Sequence, residues 1–428
     1  MRTLGFGRFA LSGSAAAALL AGCGGGSGTS LTPSPAGPST ALRMTTAERA
    51  HKLPAYRVLY SFRGGTDGSG PGSLLNVNGT LYGTTGGGGM YGYGTVFAIT
   101  SSGRETVLYS FGKGTDGIFP GGGLVDVNGT LYGTTGYGGT YSYGTVFAVT
   151  TSGRETVLYS FKGGTDGWAP TSRLLDVNGD LYGTTKLGGA YCSGAGCGTV
   201  FSVTTSGKET VLYRFKGGTA DGQNPYAGLI DVKGELYGTT SGGGAHCAGG
   251  YRDCGTVFSI MPSGKETVRY SFKGGTTDDG QSPQAALIDV RDTLYGTTTG
   301  GGSYGNGTVF AVTTSGMETV LHSFSTGHDG AIPEAPLLDM NGMLYGTTSG
   351  GATNYYGNYG GTVFEISTSG KERVLHNFGS AVNDGLDPSA SLTNVKGTLY
   401  GATPVGGTGS CSRGSGSYGC GTVFALKP

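Results

Sequence analysis

Cys192 and Cys197, Cys247 and Cys254, and Cys411 and Cys420 fall in three pairs of near neighbours, while Cys23 stands apart. Thiols so spaced can close short disulfides or hold zinc. A zinc site wants closely set Cys-x-x-Cys couples that converge on one point. These spacings differ and the pairs lie in separate segments, so three local disulfides are expected, each contributing roughly 2–3 kcal/mol on the loop-entropy account. Such bonds fit an exported protein. Acid–base chemistry has less to work with. Most acids recur at fixed intervals; those that do not are chiefly Asp253, Glu334, Glu365 and Asp387. His322 and His376 replace a recurring tyrosine and have no evident carboxylate partner in the sequence. No nucleophile is set beside a base and no three metal ligands assemble, so no catalytic residue, metal or cofactor is expected.

The fixed intervals dominate the chain. LYGTT begins at Leu81, Leu131, Leu181, Leu236, Leu294 and Leu344, and the variant LYGAT at Leu399. GTVF follows each, beginning at Gly94, Gly144, Gly198, Gly255, Gly307, Gly361 and Gly421. A third marker, Asp-Gly-x-x-Pro, has its aspartate at Asp67, Asp116, Asp166, Asp221, Asp279, Asp329 and Asp384. A period of about 50 to 58 residues belongs to propellers, solenoids or arrays. With 91 glycines among 428 residues, only 13% charged residues and 26 tyrosines, the composition reads as all-β with glycine turns. Lysine plus arginine and aspartate plus glutamate both number 27, which gives no basis for a nucleic-acid partner.

Each repeat holds four short runs rich in β-branched and aromatic residues. In the second these are run A, 123–127; run B, 130–135; run C, 145–150; and run D, 155–161. Asn-Gly separates A from B at Asn78, Asn128, Asn178 and Asn341, a two-residue hairpin signal because both positions need positive φ. Lys233-Gly234 and Lys396-Gly397 substitute for it elsewhere, and Arg291-Asp292 departs from it. The seventh repeat stops after run C, while an orphan run D, 56–62, precedes the first repeat. Pairing the two ends closes a seven-bladed β-propeller of four-stranded antiparallel blades, with no long edge left open. In that fold LYGTT is a blade's second strand. Its leucine and tyrosine are packing residues, and its glycine is expected to let the next blade approach.

Arg2 and Arg8 precede an apolar stretch, 9–20, that suits a signal peptide. It ends in Leu20-Ala21-Gly22-Cys23, which resembles the lipobox of bacterial lipoproteins. That resemblance implies acylation of Cys23, an anchor in the envelope and, with Gly24 next, passage to the outer membrane or cell surface. Residues 1–22 are then a signal peptide, 23–55 a flexible tether rich in Gly, Ser and Pro, and 56–428 the propeller. The repeat itself, N-G-x-L-Y-G-T-T, then G-T-V-F, then S-G-x-E-x-V-L-Y-S-F, resembles the GloVer tandem repeat of bacterial "choice-of-anchor" surface proteins. The resemblance implies an exported protein and carries no catalytic residues.

Antiparallel alternation puts tight turns at one end of every blade and the B–C and D–A loops at the other. B–C loops have eight residues in repeats one, two and five but 12, 14, 12 and 17 in repeats three, four, six and seven. Tyr191, Tyr251, Tyr355, Tyr356 and Tyr418 lie in them, a composition that binding loops favour. Some of their tyrosines, such as Tyr93 and Tyr143, could equally pack the loop base. Arg252 and Asp253 form the most polar feature there. In the D–A loops the Asp-Gly-x-x-Pro frame is most simply a turn; one carboxylate per loop is too few for calcium. Its two free positions differ in every repeat and carry Phe119 and Trp168, the sole tryptophan. The expectation is a monomeric, surface-anchored, non-catalytic binding module for a glycan, peptide or protein. The alternatives are a structural envelope protein, or a polysaccharide hydrolase or lyase whose off-repeat carboxylates meet at the central channel.

Overall fold

The computed structural model describes residues 54–246, 254–275, 278–325, 327, 329–351, 360–413, 416–417 and 419–428. Among them no α-helix occurs; two single 3-10 turns, Gly65–Asp67 and Gly164–Asp166, interrupt an otherwise all-strand structure. In the second repeat Val125–Val127, Thr130–Tyr137, Thr145–Thr150 and Glu155–Ser160 pair in sequence order as an antiparallel sheet. Run A is shorter than the sequence suggests and run B longer. The extension has a cause: Ile118–Pro120 of the preceding loop pairs with the end of run B, Ile118 opposite Tyr137 and Pro120 opposite Thr135.

Seven such four-stranded sheets form a seven-bladed β-propeller. The seventh takes Thr393–Val395, Thr398–Thr403 and Thr422–Lys427 from the end of the chain and Ala55–Ser61 from its beginning. Ala55 stands opposite Lys427 and Ser61 opposite Thr422. The first and seventh blades also touch at their inner edges, where Ser391 N donates to Ser73 Oγ at 3.1 Å. All A–B turns keep positive φ at both central residues, including Arg291 (56°) and Asp292 (66°), so the departure in sequence is not one in shape.

The core is seven slabs between blades rather than one centre. Each slab is marked by an edge-to-face phenylalanine pair, from Phe62–Phe97 at 5.1 Å through Phe111–Phe147 at 4.9 Å to Phe378–Phe424 at 5.1 Å. The glycine of LYGTT serves this packing differently from the expectation. A Cβ on Gly83 would lie 2.6 Å from Cζ of Phe97 in its own blade, so the glycine makes room for that ring and not for the next blade's backbone. The two motifs meet through their threonines: Thr85 Oγ1 lies 2.9 Å from Thr95 Oγ1, both fully buried, and accepts the Thr95 N–H at 3.1 Å. The same pair recurs in all seven blades, from Thr135–Thr145 to Thr403–Thr422.

Candidate functional site

The Asp-Gly-x-x-Pro loops are built as turns. Asp67 accepts the Arg63 N–H at 2.7 Å and Asp166 the Lys162 N–H at 2.6 Å. The proline seats on the glycine of the preceding GTVF: a Cβ on Gly144 would lie 2.6 Å from Cδ of Pro170. Between them, the second free residue donates its N–H to the carbonyl just before that GTVF. Phe119 bonds Tyr93 at 3.0 Å, Ala169 bonds Tyr143 at 3.1 Å, Asn224 bonds Cys197 at 2.8 Å and Ile332 bonds Asn306 at 2.9 Å. Gly70, Ser282 and Asp387 do the same with Cys420, Cys254 and Gly360. This bond between neighbouring repeats holds all seven residues left-handed, with φ from 54° to 66°. One backbone geometry therefore presents seven different side chains around the loop end.

Two of them are costly there. Phe119 (φ 57°) is 44% exposed and Ile332 (φ 58°) is 40% exposed. A bulky or β-branched residue in that region is an outlier costing of order 1–3 kcal/mol, and the first repeat avoids it with Gly70. Phe119 lies between Tyr93 and Tyr137, with ring centroids at 5.8 and 6.3 Å. Trp168 belongs to a second cluster. It packs edge-on against Tyr143 at 5.6 Å, its indole N–H is buried with no hydrogen-bond partner, and with Tyr191 it lines a cavity of about 420 Å³. Phe119 and Trp168 are thus neighbours on the loop end rather than one platform.

Tyr93 and Tyr143 do two jobs. Each ring covers the glycine of the next D–A loop, with Tyr93 carbon 2.4 Å from a Cβ built on Gly112, and yet each stays about two-fifths exposed. In two of the repeats that lack this tyrosine a disulfide covers the same spot. Cys192 and Cys197 are bonded and lie over Gly217; Cys411 and Cys420 are bonded and lie over Gly64. Cys254 is likewise disulfide-bonded. Cys23, Cys247, Tyr251, Arg252, Asp253, Tyr355, Tyr356 and Tyr418 fall outside the described residues.

A cavity of about 620 Å³ runs along the inner A strands and is lined mostly by Leu, Ile, Ala and Gly. Arg173 stands in it, donating Nε–H to the Leu124 carbonyl at 3.2 Å. Its side chain meets solvent within the channel while protein encloses it, and this burial lowers its pKa. Sequence reasoning missed Arg173, although Ser73, Gly123, Gly228, Ala286, Pro336 and Ser391 hold the corresponding positions and make a lone cation conspicuous. Near the channel, Tyr226 carries the Lys186 ammonium over its ring at 4.7 Å. Burial first, then the charge of Glu334, raises the Tyr226 hydroxyl pKa; burial first, then Asp387, raises that of Glu334. Of the off-pattern acids, Glu365 instead pairs with Arg373 at 2.7 Å.

The histidines correct the sequence reading. His322 Nε2 lies 3.1 Å from Asp329 and His376 Nε2 3.2 Å from Asp384. Each occupies the place of a tyrosine that donates to the loop aspartate in other repeats, as Tyr60 does to Asp67 at 2.6 Å. The partnership was invisible in sequence because no tyrosine–aspartate bond was foreseen.

Seven blades of one tandem repeat around a lined channel define a repeat-built β-propeller. The chain belongs to the Gloeobacter/Verrucomicrobia repeat family, whose family model matches residues 28–196 and 193–413. Among solved structures it is similar to the computationally designed Ika8 protein, at 13% identity over 87% of this chain and 100% of that one, TM-score 0.46. A gluconolactonase from Xanthomonas campestris aligns at 13% identity over 87% of this chain and 89% of its own, TM-score 0.42. A PQQ-bound aldose sugar dehydrogenase from Streptomyces coelicolor aligns at 13% identity over 87% and 98%, TM-score 0.45. No curated protein matches the chain. Among the described residues no helix is long and apolar enough to cross a membrane.

Proposed function

We propose that this protein is a non-catalytic binding module, held to the bacterial surface through acylated Cys23, that takes a glycan on its loop end. The observation that carries the reading is the strained display of Phe119 and Ile332. A large apolar side chain held about two-fifths exposed at positive φ carries a backbone strain that glycine, as in the first repeat, would avoid. Aromatic faces at Phe119, Tyr137, Tyr191 and Trp168 suit the apolar faces of sugar rings, since rigid rings supply contact area at little entropic cost. Disulfides in the loops agree with export.

The test is a glycan and cell-wall-fragment binding screen on the full chain, with Phe119→Gly, Ile332→Gly and Trp168→Ala beside it. A bound glycan lost in Phe119→Gly, while that variant unfolds at equal or higher urea, supports the reading. Silence toward every glycan by a folded chain overturns it and leaves a protein ligand or a structural envelope role. A second reading, a polysaccharide hydrolase, draws on the electrostatic coupling of Glu334 to Asp387. It requires turnover of a polysaccharide that Glu334→Gln abolishes.

A further inference from the structure

The outer strand of blade five, Glu318–Ser323, the loop that follows it, and the outer strand of blade six, Glu372–Asn377, bring His322, Asp329 and Glu372 together. One donor atom from each lies within 4.8 Å of the other two, and all three residues are half-buried. Asp329 is held in place by its own loop: Oδ2 accepts the Ser325 N–H at 2.8 Å and the Ser325 hydroxyl at 3.1 Å, while Oδ1 faces His322 at 3.1 Å. Glu372 Oε1 is buried with no hydrogen-bond partner.

The other interfaces provide the comparison. In five of them the histidine's place is taken by Tyr60, Tyr109, Tyr159, Tyr213 or Tyr270, each donating a phenol to the loop aspartate. A phenol offers no nitrogen. In the remaining one His376 faces Asp384, but Tyr56 stands where the glutamate would be; it donates to Asp384 at 2.5 Å and stacks on His376 at 3.6 Å. Among the described residues, only the interface of blades five and six combines an imidazole with two carboxylates.

We infer that His322, Asp329 and Glu372 form a binding site for one first-row divalent transition ion, of which zinc is the type, joining blade five to blade six. An imidazole nitrogen with carboxylate oxygens suits zinc and its neighbours, whereas calcium and magnesium take oxygen donors. Donor atoms about 2.0–2.2 Å from such an ion stand roughly 3.4 Å apart when tetrahedral. The His322–Asp329 separation already allows that, and Glu372 closes the rest by rotating its carboxylate. In the bound state Nε2 of His322 faces the ion without a proton and the ring N–H is at Nδ1, so the ion takes the place of the His–Asp hydrogen bond. Three protein donors leave a fourth position to water. Sequence reasoning found no metal set because Glu372 lies a whole repeat beyond His322 and Asp329.

The experiment is a titration of the full chain, stripped with chelator, using cobalt(II) as a visible-absorbing probe and zinc in a thermal unfolding assay. His322→Tyr is the decisive variant, since tyrosine fills the same place in five interfaces and the variant is expected to fold. The expected result is one equivalent of cobalt with a visible ligand-field band, a higher unfolding temperature with zinc, and loss of both in His322→Tyr. Glu372→Gln binds about tenfold more weakly or worse. His376→Tyr binds as the parent does. Absence of a band and of a zinc shift in the parent chain, or cobalt binding in His322→Tyr equal to the parent's, overturns the site.

Discussion

The phenol of Tyr109, on the last strand of blade one, donates to the carboxylate of Asp116, in the loop that leads into blade two, at 2.6 Å. The bond ties the tyrosine of each Y-S-F run to the aspartate of the next Asp-Gly-x-x-Pro frame. It explains two markers at once. Asp116 is 5% exposed, and its other donors are the Gly112 and Lys113 N–H groups, each at 3.1 Å. Tyr109→Phe removes the one side-chain donor from a buried carboxylate and is expected to cost about 1.5–3 kcal/mol, as hydrogen bonds to charged groups do. The urea midpoint is the readout, and an unchanged midpoint contradicts the assignment.

How much of this was legible in the sequence depended on distance along the chain. LYGTT and GTVF read correctly as strands because alternation and turn chemistry are local, and the split of the last blade read correctly because an orphan run D precedes the first repeat while the seventh lacks one. The Gly83 contact was misread because sequence does not say whether Phe97 or the next blade fills the space beside it. His322 and Asp329 are seven residues apart, yet their partnership went unseen because it depends on a tyrosine–aspartate bond that no turn rule supplies. Arg173 reaches Leu124 of the previous blade, and Glu372 meets a loop from which three strands of its own blade separate it in the chain. Such meetings are set by the stacking of blades, which a single repeat does not encode.

Stability is expected to fall as pH rises from 5.5 to 8. Glu105, Glu155, Glu209, Glu266 and Glu318 begin the outer strands, and each carboxyl is pushed up to about 7, by burial first and then by the charge of Asp67, Asp116, Asp166, Asp221 or Asp279. In the unfolded chain a glutamate titrates near 4.3. Between these values the folded state holds more protons than the unfolded one, so their contribution is greatest at the acid end and is lost as pH passes through about 7. Urea midpoints across this range are the measurement. Glu155→Gln, a neutral isostere, is expected to flatten the slope; a midpoint that rises with pH in the parent chain refutes the account.

The disulfides over Gly217 and Gly64 stand where repeats one and two place a tyrosine ring, so they act as covers for the D–A loop as well as staples. Replacing Cys192 and Cys197 together by alanine is expected to cost about 2 kcal/mol, the low end for short loops. The same change uncovers one wall of the Trp168 cavity. A shift of Trp168 fluorescence to longer wavelength in the native double variant is the expected sign, since Trp168 is the sole tryptophan. Identical emission before and after would remove the cover role.

Three glycines of the second repeat separate strain from space. Gly129, in the A–B turn, has φ 82° and open space where a Cβ would go; Gly133 has ordinary φ but would press a Cβ to 2.6 Å from Phe147; Gly144 has φ 100° and would press one to 2.5 Å from the Thr135 carbonyl and 2.6 Å from Pro170. Gly129→Ala meets backbone strain alone, about 1 kcal/mol. Gly133→Ala meets a ring wedged in a full slab, about 1–3 kcal/mol. Gly144→Ala meets strain, a rigid carbonyl and the next repeat's proline together, so its cost exceeds either of the others and falls on the joint between blades two and three. Urea denaturation of the three variants ranks them. Should Gly144→Ala prove no worse than Gly129→Ala, the glycine–proline seat would be a consequence of blade stacking rather than one of the contacts that enforce it.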